Sequence, residues 1–319
     1  MNVYQEISAN NRKTLLILLL FTVVVMAIAF LASVIILSQE YSTWTEAAQM
    51  TWLYFPTISA TVLVVILLWT LISYFTGDKM ILSFMGAKPV ERKEQFELYN
   101  TVENLAITAG LPVPKIYLIQ DDSLNAFATG RNPHHSVICF TTGIVKKLNK
   151  QELEAVAAHE LSHIANYDIR LQLIIVTVIG IIAMVGEVLI RVRGGGSDRK
   201  GGGAILLAGI FILLVGYPLL TLIKLALSRK REYLADASGA LLTRDPHSLA
   251  NALEKIAVDP RIESADSMKA AAHLFIDDPS VEPGMRQKDQ KQSKISWFAQ
   301  FISTHPPIQE RIKKLREEV

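Results

Sequence analysis

The sequence contains a single cysteine, Cys139, among 319 residues. One thiol excludes an intrachain disulfide and any cysteine-based zinc cluster. Net charge is also low, because 32 Lys and Arg residues are nearly balanced by 30 Asp and Glu residues, and the basic residues are scattered. We expect no nucleic-acid partner, since such proteins concentrate positive charge on one face. Any metal ion has to be held by histidine and carboxylate side chains.

Charged residues are scarce overall, and apolar runs take their place. Only 19% of the residues are charged and 50% are hydrophobic, which is unusual for a soluble domain and predicts a membrane protein. A helix needs roughly 20 apolar residues to cross the hydrocarbon core of a bilayer. We expect two transmembrane hairpins, and Pro56 suits the first turn of the second span. Four runs have a suitable length: 14–37, 57–75, 171–190 and 204–227.

The distribution of basic residues predicts the orientation of the first hairpin. Arg12 and Lys13 precede its first run and Lys79 follows its second, whereas the connecting segment 38–55 has no Lys or Arg. Basic flanks favour the cytoplasm, so the N-terminus and the polar region after the hairpin are expected there. The loop of the second hairpin, 191–203, is also basic and conflicts with this rule. That hairpin either crosses because earlier spans fix the topology, or lies in the interface or against the protein.

The motif His159-Glu160-Leu161-Ser162-His163 carries the clearest chemical signal. Two histidines four residues apart share one face of a helix, so they can supply two zinc ligands while Glu160 reaches the attacking water. The alternative is a surface helix with unrelated histidines. Apolar neighbours such as Val156 and Ile164 argue against that alternative, because charge on an apolar helix needs a compensating partner.

A third protein ligand is required, and Glu232 with Asp236 offers it. These carboxylates are also four residues apart, so both lie on one helix face. Glu232 can coordinate the metal while Asp236 accepts a hydrogen bond from the other ring nitrogen of a ligating histidine. Taken alone, the pair is more typical of a solvated acidic face. Together with the histidine motif, it becomes the better candidate for completing a zinc site.

Several segments along the chain resemble the HtpX-like membrane proteases, whose peptidase family also contains the CAAX prenyl protease Ste24. The resemblance rests on two N-terminal spans, the motif and its following apolar hairpin, and three further segments. These are Asn-Ala-Phe-Ala-Thr-Gly at 125–130, Ser-Arg-Lys-Arg-Glu-Tyr-Leu-Ala-Asp at 228–236, and Thr-His-Pro-Pro at 304–307 with Arg311. The resemblance implies one zinc ion per subunit, bound by His159, His163 and Glu232, with Glu160 as general base.

The resemblance also implies residues that act on the substrate. His305 or Arg311 is expected to stabilise the tetrahedral intermediate, although His305 could instead end a loop before the last helix. The segment 125–128 is expected to be an edge strand on which substrate backbone docks, while Asn125 could also be a turn residue. The docking residues implied are Asn125, Ala126, Phe127 and Ala128.

The expected fold is a mainly α-helical membrane protein with a small β-sheet and a cytoplasmic, zincin-like (gluzincin) catalytic domain. Helical spacing predicts helices over 91–109 and 150–168, and β-prone runs predict strands over 115–120 and 136–142. The segment 277–294, rich in Pro, Asp, Gln and Lys, is expected to be flexible. The expected domains are an N-terminal hairpin at 1–76, a first catalytic part at 77–170, a second transmembrane or membrane-associated hairpin at 171–227, and a second catalytic part at 228–319.

The expected function is zinc-dependent hydrolysis of peptide bonds at the cytoplasmic membrane face. The resemblance implies that the substrates are damaged or unfolded membrane proteins, and that the protein serves quality control and stress response in a bacterial plasma membrane. Three alternatives remain: a dedicated CAAX-type processing protease, an intramembrane protease, and a non-enzymatic membrane scaffold with a structural zinc. The scaffold would have no need of Glu160. The sequence makes no prediction of oligomeric state.

Overall fold

The computed structural model describes residues 3–38, 40–176, 229–258, 274–276 and 306–317. The chain divides into two compact units, one formed by 1–10, 75–173 and 224–319, and one formed by 11–74 and 174–223. The predicted second hairpin lies outside the described residues from position 177 onward. The predicted flexible segment 277–294 lies outside them entirely.

Two long helices begin the chain: α1, Val3–Leu37, and α2, Trp44–Phe84. In the described part of the chain, α2 alone is both long and apolar enough to cross a membrane, and only 6% of its most apolar stretch is buried. The apolar part of α1, Leu18–Leu31, is shorter. Near the connecting loop, the Phe30 ring packs edge-on against Trp52 and Phe55, with ring centroids 5.8 and 5.4 Å away. The two helices are therefore in contact beside their loop.

The predicted start of the second span is wrong. Helix α2 begins at Trp44, and Pro56 lies inside the helix instead of in its first turn. Pro56 has no N–H group and cannot complete the helical hydrogen bond to the preceding turn. A proline is nevertheless tolerated inside apolar helices, where neighbouring groups can satisfy the carbonyl that it leaves without a partner. The helix therefore begins before Pro56 and includes the apolar and aromatic residues that precede it.

The predicted small sheet is confirmed and has four strands in the order β1-β2-β4-β3. The strands are β1 (Lys88–Pro89), β2 (Lys115–Ile119), β3 (Ala126–Asn132) and β4 (His135–Thr141). β2 and β4 are parallel, and the other two pairings are antiparallel. β3 consequently forms one edge of the sheet, and its first three residues are almost fully buried.

Helices cover the sheet and supply most of the core. They are α3 (Phe96–Thr108), α4 (Thr142–Lys147), α5 (Lys150–Ala165), α6 (Arg229–Thr243), α7 (Pro246–Ile256) and α8 (Ile308–Glu317). One buried apolar cluster joins Ile138 and Phe140 of the sheet to Val156 of α5, Leu253 of α7 and Ile312 of α8. Helix α5 thus runs through the middle of this core.

The ends of two predicted helices differ from the structure. Helix α3 begins at Phe96 and not at 91, because the residues before it form turns, with the Glu94 N–H donating to the Glu91 carbonyl. Helix α5 begins with a capping box, in which Asn149 and Glu152 each bond the backbone of the other. It ends at Ala165 and not at 168, since Tyr167 has a left-handed backbone with φ of 59°.

Candidate metal centre

Helix α5 brings the two motif histidines to one point in the core. His159 and His163 are one turn apart, their ring centroids are 4.8 Å apart, and the rings are nearly perpendicular. Both side chains are buried, at 0% and 5% exposure. The spacing of four residues therefore places two ring nitrogens close together in an environment shielded from water.

Helix α6 delivers Glu232 to the same point. Its Oε2 lies 3.8 Å from His159 Nε2, and its Oε1 lies 3.8 Å from His163 Nε2. One donor atom from each of the three residues can be chosen so that all lie within 4.8 Å of one another. Ligands about 2.0–2.1 Å from a tetrahedral zinc ion are roughly 3.3 Å apart, so this arrangement is slightly wider than a loaded site.

The burial of these atoms supports a cation site. His159 Nε2 is buried and has no hydrogen-bond partner among the residues that the structure describes. Burying polar atoms without a partner costs free energy, and a divalent cation ligated there would remove that cost. Two imidazoles and one carboxylate are a ligand set that zinc accepts. The donor chemistry and the burial therefore both fit zinc.

Glu160 lies between the two histidines, and its side chain is buried at 1% exposure. Neither carboxylate oxygen has a hydrogen-bond partner among the described residues. Burial raises the pKa of Glu160, and the charges of His159 and His163 partly oppose that rise. A carboxyl group with a raised pKa is suited to taking up and returning a proton near neutral pH.

Asp236 lies one turn beyond Glu232 and contacts the first histidine. Its Oδ1 is 3.0 Å from His159 Nδ1. Burial acts to raise the pKa of Asp236, but the charge and hydrogen bonds of Arg311 outweigh it and lower the pKa to about 2. Asp236 therefore stays ionised and can keep the proton of His159 on Nδ1, which leaves Nε2 for a metal.

Arg311 of α8 is almost fully buried and holds Asp236 in a two-pronged contact. Its Nε donates to Asp236 Oδ2 at 2.8 Å, and one terminal nitrogen donates to Oδ1 at 2.7 Å. The other terminal nitrogen donates to the Ile276 carbonyl at 2.9 Å and lies 3.9 Å from Glu232 Oε2. Arg311 thus contacts the carboxylates of Asp236 and Glu232. His305, predicted beside it in function, lies outside the described residues.

The predicted docking strand is an edge strand whose outer side is partly covered by the chain itself. The Ile276 N–H donates to the Ala126 carbonyl at 2.9 Å, and Phe275 forms an antiparallel bridge with Phe127. Asn125 is fully buried, and its carbonyl accepts a hydrogen bond from the Thr141 N–H. A docking peptide would have to displace the segment 274–276 or use the strand from Ala128 onward.

Sequence reasoning missed Asp168. Its Oδ2 lies 3.0 Å from His163 Nδ1 with hydrogen-bond geometry. Burial acts to lower the pKa of His163, but this bond and the charge of Glu232 raise it to about 9. The same negative charges favour a divalent cation. Helical spacing could not reveal Asp168, because it lies beyond the end of α5.

Gly239 is a second residue that sequence reasoning missed. Glu232, Asp236 and Gly239 follow one face of α6 at intervals of four and three residues. A Cβ atom on Gly239 would lie 3.0 Å from the backbone nitrogen of His159 and 3.1 Å from its Cα. The missing side chain therefore lets α6 approach α5 closely enough for Glu232 to reach the histidines.

We expect Gly239→Val to separate α6 from α5 and to weaken zinc binding by about 10-fold or more, comparable to removing a carboxylate that hydrogen-bonds a ligating histidine. Overpacking a tight contact also destabilises a core by about 1–3 kcal/mol. Zinc retention against a competing chelator measures the effect. Ala237→Val adds a branched side chain to a half-buried position of the same helix and serves as control. Equal zinc affinity in the two variants would contradict this role for Gly239.

Comparison with known proteins finds a matching family and several similar proteins. Residues 92–319 match the sequence pattern of Peptidase family M48. The chain is 38% identical to the Protease HtpX homolog of Bacteroides fragilis strain YCH46, with 97% of each chain covered. It is 36% identical to the Protease HtpX homolog of Thermoanaerobacter pseudethanolicus, with 98% of this chain and 97% of that one covered.

One solved structure with some similarity is described as the crystal structure of S. mikatae Ste24p. The TM-score is 0.45 and the sequence identity 20%, and the alignment covers 82% of this chain but only 58% of the other. This chain therefore spans less than two thirds of that protein. The family match covers most of the chain, and the two relatives match it along nearly its full length. The chain accordingly belongs to peptidase family M48, a family of metalloproteases.

Proposed function

We propose that this protein is a membrane-embedded, zinc-dependent endopeptidase that cleaves misfolded or damaged membrane proteins at the cytoplasmic face of a bacterial plasma membrane. The observation that carries the proposal is the buried group of His159, His163 and Glu232 with the carboxylate of Glu160 beside it. This group supplies three ligands and one further titratable residue, which is the composition of a catalytic zinc site.

Each residue of the site would have a distinct role in catalysis. His159, His163 and Glu232 would hold the zinc ion, which when bound supplies a Lewis acid that acidifies water and polarises the scissile carbonyl. Glu160 takes the proton from the attacking water and passes it to the leaving amine. Asp236, held ionised by Arg311, keeps His159 oriented. No covalent intermediate with the protein is needed.

The burial of Glu160 favours an enzyme over a scaffold with a structural zinc. Structural zinc sites are closed by four protein ligands, whereas only three candidates come together among the residues that the structure describes. Glu160 contributes nothing to ligation in this arrangement, and burying its carboxylate costs free energy. A role in proton transfer accounts for both facts, and a structural role accounts for neither.

The placement at a membrane rests on the helices. Helix α2 exposes large apolar side chains, among them Leu63, Val64 and Leu67 at 47–60% exposure, which lipid would cover. His163 precedes the apolar run that starts at 171, and Glu232 follows the run that ends at 227. With two transmembrane hairpins and basic flanks in the cytoplasm, the zincin-like site would lie near that membrane face. Segments of membrane proteins would be within reach of a site in that position.

The proposal is tested by cleavage of casein, an unfolded model protein, in detergent. The zinc-loaded protein should cleave casein, and chelator treatment should abolish cleavage. Zinc should restore it, whereas magnesium should not, because Mg²⁺ prefers oxygen ligands in octahedral geometry. A zinc-loaded protein that cleaves neither casein nor an unfolded membrane-anchored polypeptide in proteoliposomes would overturn the proposal. Cleavage restricted to a prenylated C-terminal peptide would instead support the CAAX-type alternative.

A further inference from the structure

After α5, a turn at Tyr167 brings the carboxylate of Asp168 into contact with His163. Tyr167 adopts a left-handed backbone conformation, which is unfavourable for a residue with a Cβ atom and persists only where its surroundings maintain it. The Arg170 guanidinium lies 4.8 Å from the centre of the Tyr167 ring, and its Nε donates to the Arg131 carbonyl at 2.9 Å. A hydrogen bond to strand β3 therefore helps to hold this turn.

Asp168, the residue after this turn, is 1% exposed and contacts both metal-binding helices. Its Oδ2 lies 3.0 Å from Nδ1 of His163 on α5. Its Oδ1 lies 3.4 Å from the guanidinium of Arg231, which is itself buried and directly precedes Glu232 on α6. One carboxylate thus joins the end of the helix that carries two ligands to the start of the helix that carries the third.

The two ligand histidines consequently have matching supports. Arg311 contacts Asp236 and Asp236 contacts His159, while Arg231 contacts Asp168 and Asp168 contacts His163. The aspartates come from different elements, one from α6 and one from the turn after α5. Each ligand histidine therefore has its own Asp and Arg contacts.

We propose that Asp168, supported by Arg231, is a positioning residue that fixes His163 as a metal ligand and sets its distance from Glu232. The inference rests on the proposed zinc site. Carboxylate partners of ligating histidines fix ring orientation and typically account for 10- to 100-fold in metal affinity. A buried ion pair with only a structural role would affect folding and leave the affinity of the folded protein unchanged.

The test measures zinc affinity by competition with a chromophoric chelator in the Glu160→Gln background, so that no peptidase activity enters the result. Asp168→Asn preserves the shape of the side chain and removes its charge, and we expect zinc affinity to fall about 10- to 100-fold. Asp122→Asn, at a well-exposed position, is the matched control and should bind zinc as the parent does. Asp168→Glu restores the charge and should recover part of the affinity.

Arg231 provides an independent measurement. Arg231→Lys keeps the charge but loses the fixed geometry of the guanidinium, and we expect it to weaken zinc binding less than Asp168→Asn does. In the double variant, the fold-loss of zinc affinity should be smaller than the product of the two single fold-losses, because Arg231 acts through Asp168. Substitution with Co²⁺, whose visible absorption responds to ligand geometry, should show an altered spectrum for Asp168→Asn.

The outcomes separate the inference from the proposal on which it rests. A parent protein that binds no zinc would overturn the proposed function. Zinc binding in the parent together with unchanged affinity and an unchanged Co²⁺ spectrum in folded Asp168→Asn would overturn the inference alone. If Asp168→Asn does not fold, Arg231→Lys decides the question, and an unchanged affinity there would count against the inference.

Discussion

Glu160→Gln is expected to abolish peptide hydrolysis and to leave the zinc ion in place. Glutamine has nearly the same shape as glutamate but cannot accept the proton of the attacking water at its amide. General base catalysis contributes about 10²- to 10⁴-fold, so kcat should fall by at least that factor. Zinc content should be unchanged, since His159, His163 and Glu232 are the proposed ligands. Casein cleavage and metal analysis on the same purified sample measure both quantities.

Glu154→Gln is the matched control for this experiment. Glu154 lies on the same helix, is half-buried, and takes no part in the ligand group. Its replacement makes the same chemical change and should leave cleavage intact. Residual cleavage at the parental rate by zinc-loaded Glu160→Gln would show that another group is the base. Zinc binding by every variant with cleavage by none would favour the scaffold alternative.

Arg311→Met is expected to destabilise the protein and to weaken zinc binding together. The substitution removes the only guanidinium that contacts Asp236 in the described part of the chain, while both carboxylates around it remain buried. Removing one member of a buried ion pair typically costs about 3–5 kcal/mol, because the remaining charge has no compensation. Added zinc should recover part of the lost stability, since a cation that binds only the folded state stabilises it. Thermal unfolding with and without zinc measures this.

The pH dependence of stability should change in the same variant. In the parent protein, Asp236 has a pKa of about 2, below its usual value. A lowered folded-state pKa contributes stability that is complete above the unfolded-state pKa of about 4 and is lost as pH falls towards 2. Without Arg311, this contribution should disappear, and the stability of Arg311→Met should depend less on pH between about 4 and 2.

Arg316→Met is the control on the same helix. Arg316 is exposed and bonds Glu254 at 2.7 Å on the surface, where such pairs contribute about 0–1 kcal/mol. A loss of stability in Arg311→Met no greater than that in Arg316→Met would contradict the central place of Arg311 in the site.

The grouping of the three ligands with Asp236 could be predicted from the sequence because each pair on one helix follows helical periodicity. His159 with His163, and Glu232 with Asp236, are four residues apart, so a helix alone places each pair on one face. The meeting of the two helices could not be predicted in this way. It depends on Gly239, because a side chain at this position would collide with the backbone of His159 on the other helix. A single glycine inside a helical pattern carries no sign of such a contact.

The other contacts that the sequence did not indicate lie where regular spacing stops. Asp168 reaches His163 through the left-handed turn at Tyr167, a conformation that sequence pattern does not predict for tyrosine. Phe275 and Ile276 pair with β3 although they are far from it in the sequence, and local spacing does not indicate such a contact. Pro56 shows the opposite error, since a local signal for a helix start was outweighed by the apolar residues on either side.

The pairing of Ile276 with β3 affects which polypeptides can bind at this strand. A substrate that pairs with Ala126 competes with Ile276, which is tethered to the same chain. Tethered groups reach effective concentrations on the order of millimolar, so a weakly binding peptide in free solution is at a disadvantage. If the catalytic site lies at a membrane face, as we propose, a polypeptide anchored in the same bilayer would also be confined near the strand and could match that local concentration. Intramolecular competition at β3 would thus favour membrane-bound chains over dilute soluble ones without any recognition of their sequence.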